Sequence, residues 1–458
     1  MRKSAVFDGK PQKMAKMTRR VGERMRAAFY TLGCKVNQYE TEVIQRQFAE
    51  DGFTVVPFGE LADVFVVNSC TVTSTGDHKT RQILRRIRRE NPAAIIALTG
   101  CFPQAFPAEA EAVPEADVVT GASNRKSVLA DVRRALAEHR RIVDIIPHEY
   151  GESFEPMCAE EFHEHTRAFV KIEDGCDRYC SYCIIPKARG PIRSKPLGEL
   201  EKEIAALAKN GYREIVLVGI NLSSYGKETG FAFRLPDAVE LACSISGVER
   251  VRLGSLEPEL LTDGDLDRFA AQPKFCPQFH LSLQSGCDET LRRMNRHYTA
   301  AEYMEIVGRI RARFDNPAIT TDIMVGFPGE TEEELAASIA FAEAVGFAKV
   351  HTFAYSVREG TRAADMPAQV PQIEKESRSR RMIAATQTLR QRFLESQLGL
   401  VQDVLFEQRR ADGSYTGYTK NYTPVLLRAE FDPCGQIIPV RLLSLEGEAC
   451  RAELVSAE

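Results

Sequence analysis

Alternating strand and helix patterns dominate this sequence of 458 residues and occur in two series. Strands that alternate with helices of ordinary length form right-handed βαβ units, so the strands of each series are expected to lie parallel. The predicted strands of the first series cover residues 27–32, 63–68, 94–99 and 117–120. We therefore expect an amino-terminal, flavodoxin-like parallel-sheet domain over residues 26–145.

The second series has six strand–helix repeats in roughly 190 residues. Its predicted strands cover residues 168–172, 214–219, 250–255, 279–284, 319–325 and 349–354. Six repeats are more than a three-layer mononucleotide fold usually shows and fewer than the eight of a complete barrel. An open (β/α)6 partial barrel is expected over residues 166–393, after a linker over residues 146–165.

The two ends of the chain differ from these series. Residues 394–458 contain short β-prone runs separated by the turn signals ADGS, DPCG and LEGE, which predict a small all-β barrel. The first 26 residues carry nine Lys or Arg against two acids, with no apolar run. We interpret residues 1–25 as a disordered basic leader; a start of translation at Met17 or Met25 is the alternative.

Composition narrows the class of protein. A content of 44% hydrophobic and 27% charged residues is typical of a globular protein. The longest apolar runs are far shorter than the roughly 18 residues that a membrane span needs, so no membrane partner is expected. With no secretory signal in the sequence, we expect a cytoplasmic protein. The net charge of −4 neither requires nor excludes a nucleic-acid partner.

Twelve cysteines in such a chain point to metal binding or catalysis, because the cytosol keeps thiols reduced. Cys176, Cys180 and Cys183 form a CxxxCxxC motif directly after the first strand of the second series. Three thiolates this close suit a soft metal, and zinc usually takes four protein ligands at a structural site. A 4Fe-4S cluster with one open iron is the favoured interpretation; an accidental spacing or a redox-inert structural cluster is the alternative.

The motif CxxxCxxC with an aromatic residue before its last cysteine resembles the radical S-adenosylmethionine (SAM) enzymes, which share the six-unit partial barrel. The resemblance implies that the open iron binds SAM and that electron transfer from the cluster cleaves SAM to a 5′-deoxyadenosyl radical. It also implies that residues near the strand ends line the SAM site. These are Tyr182, Gly219, Glu257, Gln284 and Ser285.

Three further cysteines each follow a predicted strand of the first series. Cys34, Cys70 and Cys101 are separated by 36 and 31 residues, about one βαβ unit each. Because the carboxyl ends of parallel strands meet at one edge of a sheet, these thiols are expected to converge in one crevice. They predict a second open-iron cluster; the alternative is three buried cysteines that act as small apolar residues.

The motifs TLGC, VNSC and TGC, followed by the CxxxCxxC domain and a terminal β-barrel, resemble the methylthiotransferases from about residue 26 to 458. This resemblance implies replacement of a C–H bond by C–S–CH3, with two 4Fe-4S clusters and with SAM as both methyl donor and radical source. It implies that the terminal barrel is an OB-like, RNA-binding TRAM module. A flavodoxin-like or ferredoxin-like electron donor is expected, and the sulfur donor stays open.

The stretches GCKVNQYETE and CSYCIIPKARGPIRSKP resemble the branch that modifies N6-threonylcarbamoyladenosine at tRNA position 37. Lys35 and Val36 stand where the other branches usually carry different residues. The branch that acts on isopentenyladenosine in tRNA and the branch that acts on a ribosomal-protein aspartate remain alternatives. The non-enzymatic alternative is an iron–sulfur carrier.

Contact with tRNA requires cations for phosphates and aromatic rings for stacking on exposed bases. Eight arginines and tyrosines are candidates for this role; the alternative is that the arginines lie on solvated helix faces and that the tyrosines pack inward. The predicted RNA contacts are Arg81, Arg85, Arg189, Arg193, Arg380, Arg381, Tyr418 and Tyr422.

Overall fold

A computed structural model describes residues 24–159 and 166–455. The predicted basic leader lies almost wholly outside the described residues, as do residues 160–165 of the predicted linker. The chain divides into two compact units. The first comprises Met1–Leu32, Ile44–Thr71 and Thr75–Pro147, and the second comprises Gly33–Val43, Val72–Ser74 and His148–Glu458.

The first unit is built on a six-stranded, all-parallel sheet. The strands are β1 (Arg26–Thr31), β2 (Thr54–Val56), β3 (Val64–Ser69), β4 (Ile95–Gly100), β5 (Val118–Thr120) and β6 (Ile142–Asp144). The helices of this part of the chain are α1 (Lys35–Glu50), α2 (Ser74–Glu90), α3 (Cys101–Ala105), α4 (Pro107–Glu111) and α5 (Val128–Glu138). The first residues of α1 and α2 belong to the second unit.

The sheet order β2-β1-β3-β4-β5-β6 is that of a doubly wound α/β domain. Strands β3 and β4 are buried at every position, as expected for central parallel strands that are covered on both faces. The predicted parallel-sheet fold is confirmed. Strands β2 and β6, of three residues each, were not predicted.

The second unit begins with an α/β series. Its strands are β7 (Ala168–Lys171), β8 (Glu173–Asp174), β9 (Arg193–Ser194), β10 (Glu214–Val218), β11 (Arg250–Leu253), β12 (Ser255–Leu256), β13 (Gln278–Leu281), β14 (Ala318–Val325) and β15 (Lys349–Ala354). Its helices are α6 (Ile185–Arg189), α7 (Leu197–Lys209), α8 (Leu235–Ser244), α9 (Asp263–Ala270), α10 (Asp288–Arg293), α11 (Ala300–Arg313), α12 (Glu332–Val345) and α13 (Gln372–Ser396).

These strands form a partial barrel of six parallel βα units. One sheet has the order β11-β10-β7 and the other has the order β12-β13-β14-β15. Only Gly254 separates β11 from β12, so one unit of the chain contributes to both sheets. The predicted (β/α)6 architecture is confirmed. The short antiparallel pair β8–β9 is an addition to it and flanks the CxxxCxxC loop.

The carboxy-terminal strands close into a five-stranded barrel, which confirms the predicted small all-β fold. They are β16 (Val401–Arg409), β17 (Tyr415–Thr419), β18 (Pro424–Leu427), β19 (Ile437–Glu446) and β20 (Ala449–Leu454). Arg252 of β11 donates to the carbonyl oxygen of Lys420 at 2.8 Å and attaches this barrel to the α/β series. Within the described residues, no helix is both long and apolar enough to span a bilayer.

Candidate cluster and cofactor site

The CxxxCxxC loop leaves strand β8 through a turn that needs glycine. Gly175 has φ +85°, and a Cβ atom added there would lie 1.9 Å from the carbonyl oxygen of Pro191. The Cys176 amide donates to the carbonyl oxygen of Gly190 at 3.1 Å, and the Cys183 amide donates to that of Cys180 at 2.9 Å. These bonds hold the three cysteines of the motif on a compact loop.

The donor set of this loop fits an iron–sulfur cluster. Cys176, Cys180 and Cys183 are free and half-buried, and both Cys180 and Cys183 act electrostatically on the Cys176 thiol. Burial, followed by the proximity of Cys180, raises the pKa of Cys183 to about 12. Without a metal the Cys183 thiol is therefore protonated at neutral pH, and a soft metal would bind it with release of a proton.

A single metal ion is a different case. Across residues 24–159 and 166–455, no three Cys, His, Asp or Glu side chains are arranged to hold one ion. A cluster takes each cysteine on a separate iron atom, and three thiols on one loop match that requirement.

Arg296 joins this site, and the sequence analysis did not find it. Its guanidinium donates to the Cys180 sulfur at 3.3 Å and lies 2.5 Å from the Glu257 carboxylate. Glu257 is thus held in an ion pair, although burial raises its pKa above the usual range. Arg296 lies in a loop after α10, where no periodicity or motif spacing marked it.

The other predicted SAM contacts occupy the rim of the partial barrel. The Tyr182 ring packs edge-on against Phe327, with ring centroids 6.3 Å apart. Gln284 adopts a left-handed conformation, with φ +70°. Ser285 is buried, and its hydroxyl accepts from the Cys287 amide at 3.2 Å.

Gly219 lies beside buried polar atoms that lack partners. One oxygen of the Glu173 carboxylate accepts from the backbone amide of Asn221 at 2.7 Å. A Cβ atom added at Gly219 would lie 2.6 Å from the same oxygen. The other carboxylate oxygen of Glu173 and both polar side-chain atoms of Asn221 have no hydrogen-bond partner within the described part of the chain. Buried polar atoms in this state are expected at a ligand site. Burial raises the pKa of Glu173 to about 8.

Arg189 and Arg193 belong to a buried ion-pair network and do not face a surface that RNA could reach. Arg189 is 0% exposed and Arg193 is 6% exposed. Three cations face three carboxylates in this group, which we call the Arg189 network. Its members are Glu40, Glu152, Lys171, Asp174, Arg189 and Arg193. The prediction that Arg189 and Arg193 contact RNA is therefore wrong, since sequence alone does not reveal burial.

The Arg189 network reaches both the CxxxCxxC loop and the turn that carries Cys34. Arg189 lies 2.6 Å from the carboxylate of Glu40 in α1 and 3.3 Å from that of Asp174, two residues before Cys176. It also donates to the side-chain oxygen of Asn37 at 2.6 Å, and this oxygen accepts from the Cys34 thiol at 3.6 Å.

Cys34 opens onto a cavity inside the second unit. The cavity has a volume of about 430 Å³, within the range of ligand sites. Its walls include Cys34, Lys35, Gly219, Gln278, His280, Asp322, Lys349, His351, Phe353 and Tyr422. Burial, with further contributions from Arg167 and Arg252, lowers the pKa of Lys35 to about 8. We call this space the Cys34 cavity.

Cys70 and Cys101 follow neighbouring strands of the parallel sheet. Ser69, the last residue of β3, pairs with Gly100, the last residue of β4, so the two cysteines follow directly on paired positions. Cys34 comes three residues after the end of β1, which is the neighbour of β3 on the other side. The predicted order of the three cysteines along the strand ends is therefore present.

The arginines among the remaining predicted RNA contacts differ in ion pairing and in solvent exposure. Arg81 pairs with Glu109, and Arg381 lies 2.5 Å from Glu332, whereas Arg85 is 66% exposed and Arg380 is exposed. Ion pairs of exposed side chains are weak, so a phosphate could compete for these guanidinium groups.

Tyr418 and Tyr422 do not pack into the core of the five-stranded barrel. They are half-buried and stack on each other with ring centroids 4.4 Å apart. Both line a second cavity of about 500 Å³, together with Arg390 and Arg410. Aromatic rings beside cations are the combination expected for contact with an unstacked base.

Comparisons with known proteins identify the parts of the chain. A family model described as the radical SAM superfamily matches residues 170–342, and one described as the uncharacterized protein family UPF0004 matches residues 26–121. The chain is 37% identical to the threonylcarbamoyladenosine tRNA methylthiotransferase MtaB of Bacillus subtilis, over 91% of this chain and 93% of the relative. It is 32% identical to the tRNA-2-methylthio-N6-dimethylallyladenosine synthase of Pelotomaculum thermopropionicum, over 89% of this chain and 93% of that relative.

A solved structure with a similar fold is the radical SAM methyltransferase TsrM of Kitasatospora setae, with cobalamin and a 4Fe-4S cluster bound. The TM-score is 0.54 at 15% identity, over 75% of this chain and 74% of the other. At this identity the similarity concerns the fold alone.

The Arg189 network gives a prediction for stability. Arg189→Met removes the cation that pairs with the buried carboxylates of Glu40 and Asp174, so we expect a loss of about 3–5 kcal/mol in the free energy of unfolding. Arg213→Met is the matched control, because it breaks an exposed pair with Glu249 at 2.7 Å and should cost about 0–1 kcal/mol. Denaturant unfolding followed by circular dichroism measures both. A loss for Arg189→Met as small as that of the control would contradict the structural role of the network.

Glu173 gives a prediction for pH dependence. Because burial raises its pKa from 4.5 to about 8, the folded protein holds this proton more tightly than the unfolded chain. Stability from this group is present below pH 4.5 and falls by up to roughly 1.4 kcal/mol per pH unit as the pH rises toward 8. Glu173→Gln removes the dependence, so thermal midpoints should shift in favour of the variant between pH 5 and pH 8. Glu199→Gln, on the exposed face of α7, is the control, and a constant difference between wild type and Glu173→Gln would refute the assignment.

Proposed function

This chain belongs to the radical SAM tRNA methylthiotransferase family, and on that premise we propose that it converts N6-threonylcarbamoyladenosine at tRNA position 37 into its 2-methylthio form. The observation that carries the choice of substrate is the 37% identity, over 91% of the chain, to a relative named for this nucleoside. The dimethylallyladenosine synthase at 32% identity supports the isopentenyl substrate as the second candidate.

Membership of the radical SAM superfamily implies a 4Fe-4S cluster and SAM. We assign the cluster to Cys176, Cys180 and Cys183, because their loop supplies three free thiols and leaves one iron open. When bound, the cluster supplies the electron that cleaves SAM and thereby the radical chemistry that an aromatic C–H bond requires. Arg296 donates to the Cys180 sulfur and would stabilise negative charge there.

The side chains near Gly219 would bind the polar groups of SAM. The unpartnered oxygen of Glu173 and the side-chain amide of Asn221 together offer acceptors and a donor in a buried position. Tyr182, Glu257, Gln284 and Ser285 belong to the same proposed site, since they lie at the rim where parallel strands end.

Cys34, Cys70 and Cys101 are proposed to hold the second 4Fe-4S cluster, which would present sulfur to the substrate. Their support is positional: each follows one of three neighbouring strands of the parallel sheet. The chemical support is that three thiolates without a fourth protein ligand leave one iron free for a sulfur atom.

The Cys34 cavity would receive the target base. It is lined by Cys34, which carries the proposed sulfur site, and by Gly219, which marks the proposed SAM site. An adenine C2–H bond has no acidity that a side-chain base could use, so catalysis depends on orienting this carbon between the two sites and on excluding water.

The proposed partners follow from the reaction. Arg81, Arg85, Arg380 and Arg381 would contact tRNA phosphates, and Tyr418 and Tyr422 would stack on a base near the terminal barrel, which fits a TRAM module. A flavodoxin-like or ferredoxin-like protein would supply electrons, while the donor of sulfur is left open. Since the substrate is tRNA, the expected compartment is the cytoplasm.

The substrate is tested by nucleoside mass spectrometry. After anaerobic reaction with SAM and dithionite, we expect a methylthio group on threonylcarbamoyladenosine in tRNA and little on isopentenyladenosine in a matched tRNA. Methylthiolation of only the isopentenyl tRNA, or of only a ribosomal protein, would assign the chain to another branch. An absence of 5′-deoxyadenosine would instead indicate an iron–sulfur carrier.

The two cluster sites are tested by metal content. Anaerobic reconstitution should give about eight irons per chain, from two four-iron clusters. Replacing Cys34, Cys70 and Cys101 together by alanine should leave about four irons, and replacing Cys176, Cys180 and Cys183 together should leave the other four. Alanine at Cys158 and Cys434 is the control and should change nothing. Iron that is unaffected by the first triple substitution would overturn the second site.

A further inference from the structure

Lys35 places an ammonium group without a counter-ion on the wall of the Cys34 cavity. It follows Cys34 directly and lines the same cavity. Among residues 24–159 and 166–455, its ammonium has neither a hydrogen bond nor an ion pair. The other ammonium on the wall, that of Lys349, lies 3.6 Å from the Glu448 carboxylate. Lys35 is therefore the cation of this wall that is open to a ligand.

The surroundings of Lys35 add positive charge. Arg167 and Arg252 both act electrostatically on its ammonium. Arg167 is paired with Glu407 at 2.6 Å, and Arg252 is paired with Glu214 at 2.7 Å. Each guanidinium thus has its own carboxylate, whereas the charge of Lys35 is left over. The Lys35 side chain is exposed, and a cation on a cavity wall that has no ion pair of its own attracts an anionic group.

The remainder of the cavity suits a nucleobase. The rings of Phe353 and Tyr422 are part of its wall, and an unstacked base gains contact energy on such rings. Gly219 lines the same cavity. A base held here would have Cys34 and Lys35, two consecutive residues, at the same edge of its ring.

We propose that Lys35 binds the carboxylate of the threonylcarbamoyl group on the target adenosine and thereby selects this nucleoside over one with an uncharged N6 substituent. The inference rests on the proposed function and assigns its substrate preference to one residue. Carbon 2 and the carbon that bears N6 are separated only by N1, so a substituent directed toward N1 lies on the C2 side of the base. Neighbouring residues of the chain can therefore meet neighbouring groups of the substrate.

Rejection of the apolar alternative follows from the same geometry. A dimethylallyl group in this position would remove water from the Lys35 ammonium without offering an acceptor. A polar group that is desolvated and left unpaired carries a free-energy penalty, and sites built on this principle discriminate strongly against analogues that lack the partner.

The test uses two synthetic anticodon stem-loops that differ only at the threonyl carboxyl group, which is a free acid in one and a methyl ester in the other. With the fully reconstituted wild-type enzyme, we expect kcat/KM to favour the acid about ten- to a hundredfold, chiefly through KM. Lys35→Met should reduce this preference to near one, chiefly by lowering kcat/KM for the acid. Lys35→Arg should retain most of the preference, because it keeps the charge.

Binding provides a second readout that is independent of turnover. Dissociation constants of the two stem-loops, measured by fluorescence anisotropy, should differ by a similar factor for the wild type and should be nearly equal for Lys35→Met. Iron content should stay at the wild-type value in this variant. Lys349→Met tests the competing ammonium and should keep the preference for the acid.

Three results with the variants would overturn the proposal: an equal loss on acid and ester in Lys35→Met, an acid preference that survives in Lys35→Met, and an acid preference that disappears in Lys349→Met instead. If the wild type binds the acid in preference to the ester but does not methylthiolate it, the proposed function fails while the role of Lys35 in recognition stands. If the wild type methylthiolates both stem-loops equally well, the proposed reaction stands and the role of Lys35 fails.

Discussion

The Arg189 network is the interaction on which the geometry of the candidate site depends. Three cations and the carboxylates of Glu40 and Asp174 are buried together, with the half-buried Glu152 at their edge, and each buried charge would be costly without its partners. Such a network is weak evidence for net stability, since apolar residues of the same volume can be as favourable. Its effect is on position: Arg189 is bonded at once to Glu40 and Asn37 after Cys34 and to Asp174 before Cys176. A shift of either segment would leave buried charge unpaired.

Held in this way, the second unit brings different kinds of chemistry to one cavity. Gly219, beside the unsatisfied polar atoms of Glu173 and Asn221, and the turn that carries Cys34 and Lys35 both line this cavity. The Arg189 network fixes the CxxxCxxC loop next to that turn. Parallel strands make this possible, because their carboxyl ends deliver side chains to one edge whatever the distance along the chain. The fold thus assembles the site from loops that share no local sequence pattern.

The structural features that could be predicted from the sequence are those marked by a hydrophobic periodicity or by a regular spacing of cysteines. Alternating strand and helix patterns led to the parallel sheet and to the six-unit partial barrel, and the cysteines at strand ends were found in the same way. The pairing of Ser69 with Gly100 agrees with the expectation that Cys70 and Cys101 follow neighbouring strands. These features depend on backbone topology, which hydrophobic patterning determines.

Features that depend on burial or on long-range contact were not predictable. Arg189 and Arg193 were assigned to RNA because they flank the cysteine motif and are charged, whereas folding buries both against carboxylates that are distant in sequence. Arg296 reaches Cys180 across 116 residues from a loop that has no pattern. Glu173 was passed over because only the fold removes it from water. For long charged side chains, the three-dimensional partner decides the role, and sequence does not show the partner.

The same reasoning explains why substrate choice can reside in Lys35. Its neighbours Arg167 and Arg252 are neutralised by carboxylates of the protein, so the fold has the means to pair cations in this region. Among the described residues, the exposed ammonium of Lys35 has no such carboxylate, so an anionic group of the substrate can take that place. Because Lys35 adjoins Cys34, a substrate that supplies the anion is held by the same turn that carries the proposed sulfur site. The same binding event then recognises the substituent and positions the reacting carbon. A base without the carboxylate is neither recognised nor positioned in this way.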